Sequence, residues 1–233
     1  MKQILKNHPF FEDKKILSMK RFKEQGFNNI HSKVKTPDKN FMLREFKLQG
    51  VDRELEFKVQ QMGHQLGLAP KSYFLDMEHH IMLSTYVKGK HLFRLKKKEL
   101  KTLAKTLAKL HTLDIKFHPY DLNGAIKVKT KKVKQAFKTL AKEPKEFVLC
   151  HHDLNPKNIL FTKKGIQFID WEFACINDRY FDIASICVEY KLDKKAQRMF
   201  LQYYLGKQKP NHQKIKAYKV IYKALCQEWF ANH

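Results

Sequence analysis

Asp153, Asn158 and Asp170 stand five and then twelve positions apart, inside the part of the chain that is densest in polar side chains able to do chemistry. The first two lie in His151-His152-Asp153-Leu154-Asn155-Pro156-Lys157-Asn158, between the apolar runs Phe147 to Cys150 and Ile159 to Phe161. The third closes the run Ile166 to Ile169 and is followed by Trp171 and Glu172. Two strands flanking a polar loop would bring the three oxygen-bearing groups together. Such a set fits phosphoryl transfer, which needs a carboxylate to accept the proton of an attacking hydroxyl and oxygen ligands to hold magnesium on a triphosphate. Asp153 suits the first role as the catalytic base, and Asn158 and Asp170 suit the second as metal ligands.

Elements able to position these groups are legible on both sides. Upstream, short apolar pieces around Thr36-Pro37-Asp38-Lys39-Asn40 suggest a hairpin over 29–47. Val51, Leu55, Val59, Met62 and Leu66 form a helical stripe that Gly67 stops. Ser72 to Leu75 and His80 to Tyr86 read as strands, and Val87-Lys88-Gly89-Lys90 as a crossing point between lobes. Beyond it, Leu100, Leu103, Leu107 and Leu110 predict one helix, and Val133, Phe137 and Leu140 another. Three more helices are expected over 182–190, 195–205 and 212–230. Strands followed by helices imply an α+β chain with two lobes, residues 1–87 and 88–233, and a cleft between them.

Composition narrows the class. The 233 residues are 43% hydrophobic and 12% aromatic, enough for a core, so whole-chain disorder is excluded. The formal charge of +24 raises the rival of a basic nucleic-acid-binding protein. Yet only six of the 47 basic residues are Arg, and the Lys are spread along the whole chain. The runs Lys96 to Lys98 and Lys127 to Lys134 lie beside helical patterns and read as solvated faces, so no nucleic-acid partner is expected. No stretch approaches the roughly 20 apolar residues of a membrane span, so no membrane insertion and a cytoplasmic location are expected. Cys150, Cys175, Cys187 and Cys226 form no CxxC pair and read as reduced, small core residues without disulfide or zinc.

The motif His151-x-Asp153-x-x-x-x-Asn158 followed by Ile169-Asp170-x-Glu172 resembles the catalytic loop and metal motif of the protein-kinase-like small-molecule kinases, which include choline kinases and aminoglycoside phosphotransferases. Asp170 through Asp182 is similar to the choline kinase pattern D-x-E-[YF]-A-x-x-N-x-x-x-F-D, and Glu189 falls where that family places a choline-binding carboxylate. The resemblance implies a protein-kinase-like fold, with a small antiparallel-sheet N-terminal lobe that binds nucleotide and a larger, mainly helical C-terminal lobe. It also implies further site residues. Gln25-Gly26-Phe27-Asn28-Asn29 looks like the phosphate loop with its first Gly lost, which would put Asn29 at the phosphates. Phe41-Met42-Leu43-Arg44 resembles the strand whose Arg contacts them, with Glu56 as its helix partner and Glu54 as the fallback. Met82 to Tyr86 would be the hinge, where Ser84 and Tyr86 would meet the adenine. His151 and Asp182 would brace the catalytic loop, while Leu110-His111 matches a family dipeptide better read as a core histidine.

Quaternary ammonium groups cannot donate a conventional hydrogen bond, so aromatic faces and carboxylates select them. Glu189, Glu172, Trp171, Phe173 and Trp229, beside Asp153, are the residues expected to line such a pocket, while Tyr190 and Tyr222 on the same segments read as core packing. The family's W-x-x-W helix reads Cys226-Gln227-Glu228-Trp229 here, and Phe173 stands where Tyr is usual. The expectation is therefore a kinase that uses ATP and Mg2+ to phosphorylate the hydroxyl of choline or a similar amino alcohol. Thiamine, ethanolamine and aminoglycosides are alternative acceptors. An inactive kinase-like binding protein is the alternative outside enzymology. The oligomeric state is left open.

Overall fold

The computed structural model describes residues 1–23 and 28–231, and the chain divides into two units, Met1–Lys88 and Gly89–His233. The first unit begins with α1 (Lys2–Asn7) and β1 (Ser18–Arg21), which are too short for periodicity to announce. The expected hairpin follows as β2 (Asn29–Lys35) and β3 (Asn40–Phe46). Thr36 ties its turn, with Oγ1 donating to the Lys39 carbonyl at 3.1 Å and accepting from the Lys39 amide at 3.2 Å. Next come α2 (Arg53–Gln65), β4 (Ser72–Asp76) and β5 (Ile81–Thr85). The five strands form one antiparallel sheet in the order β1-β2-β3-β5-β4. Leu5 of α1 packs on Val34, Phe41, Leu43, Ile81 and Leu83, so the short helix plugs one face of that sheet.

Helix α2 corrects the sequence reading. Asp52 caps its start, accepting from the Leu55 amide at 2.9 Å, and Gly67 beyond its end adopts φ +71°, as a helix stop requires. Its buried residues, however, are Arg53, Glu56, Val59, Gln60 and Gly63, whereas Leu55, Met62 and Leu66 are only half-buried. The apolar stripe misplaces the buried face because Arg53 and Glu56 pair with each other and lose their usual reason to face water.

The second unit comprises α3 (Lys97–Leu110), α4 (Leu122–Ala125), α5 (Lys131–Ala141), β6 (Phe147–Cys150), β7 (Ile159–Thr162), β8 (Gly165–Phe168), β9 (Cys175–Asp178), α6 (Arg179–Glu189), α7 (Lys194–Leu205) and α8 (His212–Ala231). Helix α3 packs with α7, and α8 with α5 and α6. Strands β6 and β7 do flank the polar loop, but they do not pair with each other. Strand β6 pairs with β9 and β7 with β8, so the loop joins two small antiparallel sheets. Helix α6 starts three residues before its expected position because the Asp178 side chain caps it, accepting from the Tyr180 amide at 3.0 Å. Among the described residues, no helix is long and apolar enough to cross a membrane; all four cysteines are free thiols, but only Cys150 and Cys187 lie in the core, Cys175 and Cys226 being half-buried.

Candidate active site

The loop after β6 turns back on itself through a 3-10 turn at Pro156–Asn158, capped by the Asn155 side chain, which accepts from the Lys157 amide at 2.9 Å. Two amide side chains then grip Asp153. Asn155 Nδ2 donates to Asp153 Oδ1 at 2.9 Å, and Asn158 Nδ2 donates to Oδ2 at 2.6 Å and to the Asp153 carbonyl at 3.0 Å. The Ile169 amide donates to the Asn158 carbonyl at 3.0 Å, which ties the residue before Asp170 to the same turn. Asp153 and Asn158 therefore touch directly, and the backbone tethers Asp170 beside them. Asn155 was missed in the sequence, where it looked like an ordinary loop residue.

Both acidic motifs sit on unusual backbone. His152, just before Asp153, has φ +70°, and Asp170 has φ +64°, a left-handed conformation that side chains other than Gly rarely adopt. Packing holds the first of these in place. The His152 ring stacks on Phe181 at 3.9 Å, and its Nε2 is 2.9 Å from Asn177 Nδ2. His151 joins the two motifs: its Nε2 lies 3.0 Å from the Ile169 carbonyl, and its Nδ1 accepts from the Asp153 amide at 3.4 Å. Asp182, fully buried on α6, accepts the His151 amide at 2.8 Å and the His152 amide at 3.0 Å, and lies 3.2 Å from His111 Nε2.

Burial sets the proton affinities here. It pushes Asp153 up to about 6; the charges of Glu172 and Glu189 add to the rise, and the Asn155 and Asn158 hydrogen bonds oppose it. A carboxylate titrating there is matched to accepting a proton near neutral pH. Burial also lowers His151 and His152 to about 4, so both are neutral at pH 7. For Asp182, burial works upward, but the His111 hydrogen bond and the three neighbouring histidines outweigh it and hold the carboxyl below its usual range.

These shifts fix an acid-stability window. Each histidine binds protons more weakly folded than unfolded, so its contribution is complete above pH ~6.5 and is lost as pH falls through about 4. Asp153, shifted the other way, offsets roughly one of them. Asp182 adds a loss that begins below pH ~3.9. Urea unfolding should therefore show about 3–4 kcal/mol less stability at pH 4 than at pH 7. A flat profile would contradict the burial of the two histidines.

The residues expected to line a substrate pocket divide. Glu172, Phe173, Glu189 and Trp229 are half-buried, and both glutamates lie close enough to Asp153 for their charge to act on it. Tyr222 donates its hydroxyl to Glu189 Oε1 at 2.8 Å and meets Phe181 edge-on. Trp229 packs edge-on against Phe230 at 5.0 Å. Trp171 does not join them. Its indole is fully buried, donates Nε1–H to the Phe168 carbonyl at 3.1 Å and packs on His151 at 4.7 Å, so it offers no open face to a cation.

In the first unit, Arg44 on β3 forms a buried ion pair with Glu56 on α2, not with Glu54. Arg53, missed in the sequence, donates to the other oxygen of Glu56 at 2.8 Å and to the Leu48 carbonyl at 3.2 Å, so two guanidinium groups share one carboxylate. The signal was its spacing three residues before Glu56. Asn29 is buried opposite Phe46 at the start of β2, while Gln25 to Phe27 of the expected phosphate loop lie outside the described residues. Ser84 is half-buried on β5 between Met42 and Ser72. The Tyr86 amide donates to the Asn40 carbonyl at 3.1 Å and the Thr85 amide to Lys71 at 2.8 Å, so neither is open to a nucleotide ring nitrogen. The Tyr86 ring stacks on Phe22, with Lys33 Nζ 4.4 Å from its centre.

Comparison with known proteins follows the same lines. The choline kinase LicA from Streptococcus pneumoniae superposes with a TM-score of 0.82, covering 99% of this chain and 89% of that one at 23% identity. A Plasmodium vivax ethanolamine kinase superposes at 0.73, covering 91% and 75% at 21% identity. The fold is thus protein-kinase-like, α+β with a five-stranded antiparallel sheet. In sequence, protein LicA of Haemophilus influenzae is 41% identical over 70 residues, which is 29% of this chain and 26% of that protein. Ethanolamine kinase 2 of Rattus norvegicus is 29% identical over 203 residues, 68% of this chain and 51% of that one. The chain therefore matches about a quarter to a half of the length of these relatives. Since residues 22–218 match the phosphotransferase enzyme family, well over half its length, the chain belongs to that family.

Proposed function

We propose that this protein transfers the γ-phosphate of ATP to the hydroxyl of a small amino alcohol, choline first, with ethanolamine, thiamine and aminoglycosides as the other acceptors to test. The observation that carries the reading is the grip on Asp153: an amide side chain from each of Asn155 and Asn158 fixes a carboxylate whose proton affinity suits a base. Asp153 takes the proton of the acceptor hydroxyl as its oxygen bonds to the γ-phosphorus. The bond from that phosphorus to the β,γ-bridging oxygen breaks, leaving ADP. Asn158 spends its NH2 on Asp153, which leaves its Oδ1 as an acceptor, and the Ile169 amide ties the residue before Asp170 to its backbone. That hard-oxygen pair fits Mg2+, and the ion when bound would neutralise charge on the phosphate oxygens.

We assign the nucleotide to the first unit, with Arg44, held by Glu56, as the group for its phosphates and Asn29, Ser84 and the ring of Tyr86, whose amide is engaged, as further contacts. Glu172, Phe173, Glu189 and Trp229 are assigned to the cationic end of the acceptor, and the cytoplasm is the proposed compartment. Glu189→Gln should raise KM for the alcohol about tenfold while kcat changes less, because a charge that attracts the ammonium is removed away from the reacting oxygen. An unchanged KM would misplace the pocket. The function itself is tested by steady-state ADP release with MgATP over choline, ethanolamine, thiamine and kanamycin. The expected result is a rate at least tenfold above the alcohol-free rate with one of them, choline foremost. No stimulation by any acceptor would refute it.

A further inference from the structure

We propose that the loop from Lys90 to Lys98 is a docking surface for an anionic phospholipid membrane, on which the protein lies without crossing it. Its nine residues, Lys-His-Leu-Phe-Arg-Leu-Lys-Lys-Lys, carry five formal cations and no carboxylate. Phe93 in their midst is 61% exposed, and Leu92 and Leu95 beside it are only half-buried. Lys90, Arg94 and Lys96 to Lys98 are all exposed. Glu99, the next residue, is half-buried with one carboxylate oxygen enclosed, so it does little to cancel them at the surface. Among the described residues none of the five cations has an ion-pair partner, whereas Arg44, Arg53, Arg179 and Lys214 are all paired.

Both ends of the loop are anchored, so Phe93 is held out in water by the fold. Gly89 lies so close to β7 that a Cβ there would meet Leu160 Cβ and the Phe161 carbonyl at 3.2 Å each. The Lys90 amide donates to the Phe161 carbonyl at 2.9 Å, and the Phe161 amide returns to the Lys90 carbonyl at 3.0 Å. His91 Nδ1 lies 3.2 Å from the carbonyls of both Pro156 and Ile159, and facing two acceptors it carries the proton and donates. At the other end, the buried leucines of α3 fix Lys97 and Lys98 to the start of that helix. Cations there oppose the helix dipole, so they do not serve the helix itself. An anionic bilayer relieves both costs: basic side chains meet headgroup phosphates, and apolar ones sink to the acyl boundary. Nucleic acid is the weaker match, because only one of the five cations is Arg, and Leu92 and Leu95 offer no π face to a base. The segment Lys127 to Lys134 carries as many cations, but its exposed apolar residue is Val128, whose amide faces a Glu228 carboxylate oxygen at 3.4 Å.

Cosedimentation of the purified chain with vesicles tests this. Phosphatidylcholine vesicles containing about 30% phosphatidylglycerol should bind it about tenfold or more tightly than phosphatidylcholine alone, and raising salt from about 0.1 to about 0.5 M should weaken that binding by about tenfold or more. Each cation near an anionic surface strengthens binding about fivefold, so the triple variant Lys96→Gln, Lys97→Gln, Lys98→Gln should lose about thirtyfold or more. Phe93→Ser should lose about five- to tenfold. The charge-matched control Lys131→Gln, Lys132→Gln, Lys134→Gln should stay within about threefold of wild type. All of these side chains are exposed, so the variants keep the fold. In Phe93→Trp, indole emission measured against wild type should move to the blue on anionic vesicles and stay put with glycerophosphate, the free headgroup. Equal binding to both kinds of vesicle, equal losses in the two triple variants, or no blue shift would overturn the proposal. So would tighter binding to random duplex DNA than to anionic vesicles at the same phosphate concentration, which would give the loop to nucleic acid. None of these readouts uses turnover, so failure of the kinase reading leaves the test standing.

Discussion

Asp153→Asn is expected to reduce kcat by about three orders of magnitude while nucleotide affinity stays within about threefold of wild type. The substitution keeps the shape of the side chain and removes its capacity to accept a proton. It also turns an NH2 group toward one of the two amide donors, Asn155 Nδ2 or Asn158 Nδ2, which now share the carboxylate. One of those hydrogen bonds must break, so part of the loss is one of position. Because Asn158 keeps its own oxygen, the groups assigned to the metal and nucleotide survive, and the effect falls on turnover. ADP release and nucleotide titration calorimetry on the same preparation separate the two. Turnover above about a tenth of wild type would remove Asp153 from the role of base.

Asp182→Ala is expected to destabilise the chain by about 3–5 kcal/mol, a large part of the stability of a typical domain. The carboxylate is fully enclosed and serves the amides of His151 and His152 as well as His111. Each amide left buried without a partner costs about 1–3 kcal/mol, and His111 loses the partner of its Nε2. The damage should also be local, since the released amides sit at the junction of β6 and the loop. Urea unfolding at pH 7 measures the loss. A value below about 1 kcal/mol would mean that water or a neighbouring group takes over the three hydrogen bonds.

Elements with long, strict periods were readable from the sequence. The leucines of α3 and the hairpin around Thr36 lie where their patterns put them, because burial on one face is what their spacing encodes. The sequence failed where a buried residue is polar. Arg53 and Glu56 turn α2 away from its apolar stripe because a buried ion pair substitutes for an apolar contact, which no hydropathy pattern reports. Strand β9 went unseen because its Cys175-Ile176-Asn177-Asp178 is half polar, yet Asn177 and Asp178 are buried and hydrogen-bonded to His152 and the Glu146 amide.

At the site, the spacing of Asp153 and Asn158 marks the turn across which their side chains meet. The sequence could not say that the Asn155 side chain would reach back two residues, or that β6 and β7 would each find another partner. Trp171 shows the converse error. An aromatic beside a catalytic motif suggests a substrate wall, but the tight connection after β8 directs its indole inward onto His151.

The account is tested most directly by following the phosphorus itself. Purified protein, MgATP and a mixture of choline and ethanolamine should give, by 31P NMR, ADP and a phosphomonoester resonance that grow in equal amounts. The same mixture with Asp153→Asn should show neither on that timescale. ADP accompanied by inorganic phosphate instead of an ester, or ATP unchanged with the wild-type chain, would contradict transfer to an alcohol through this loop.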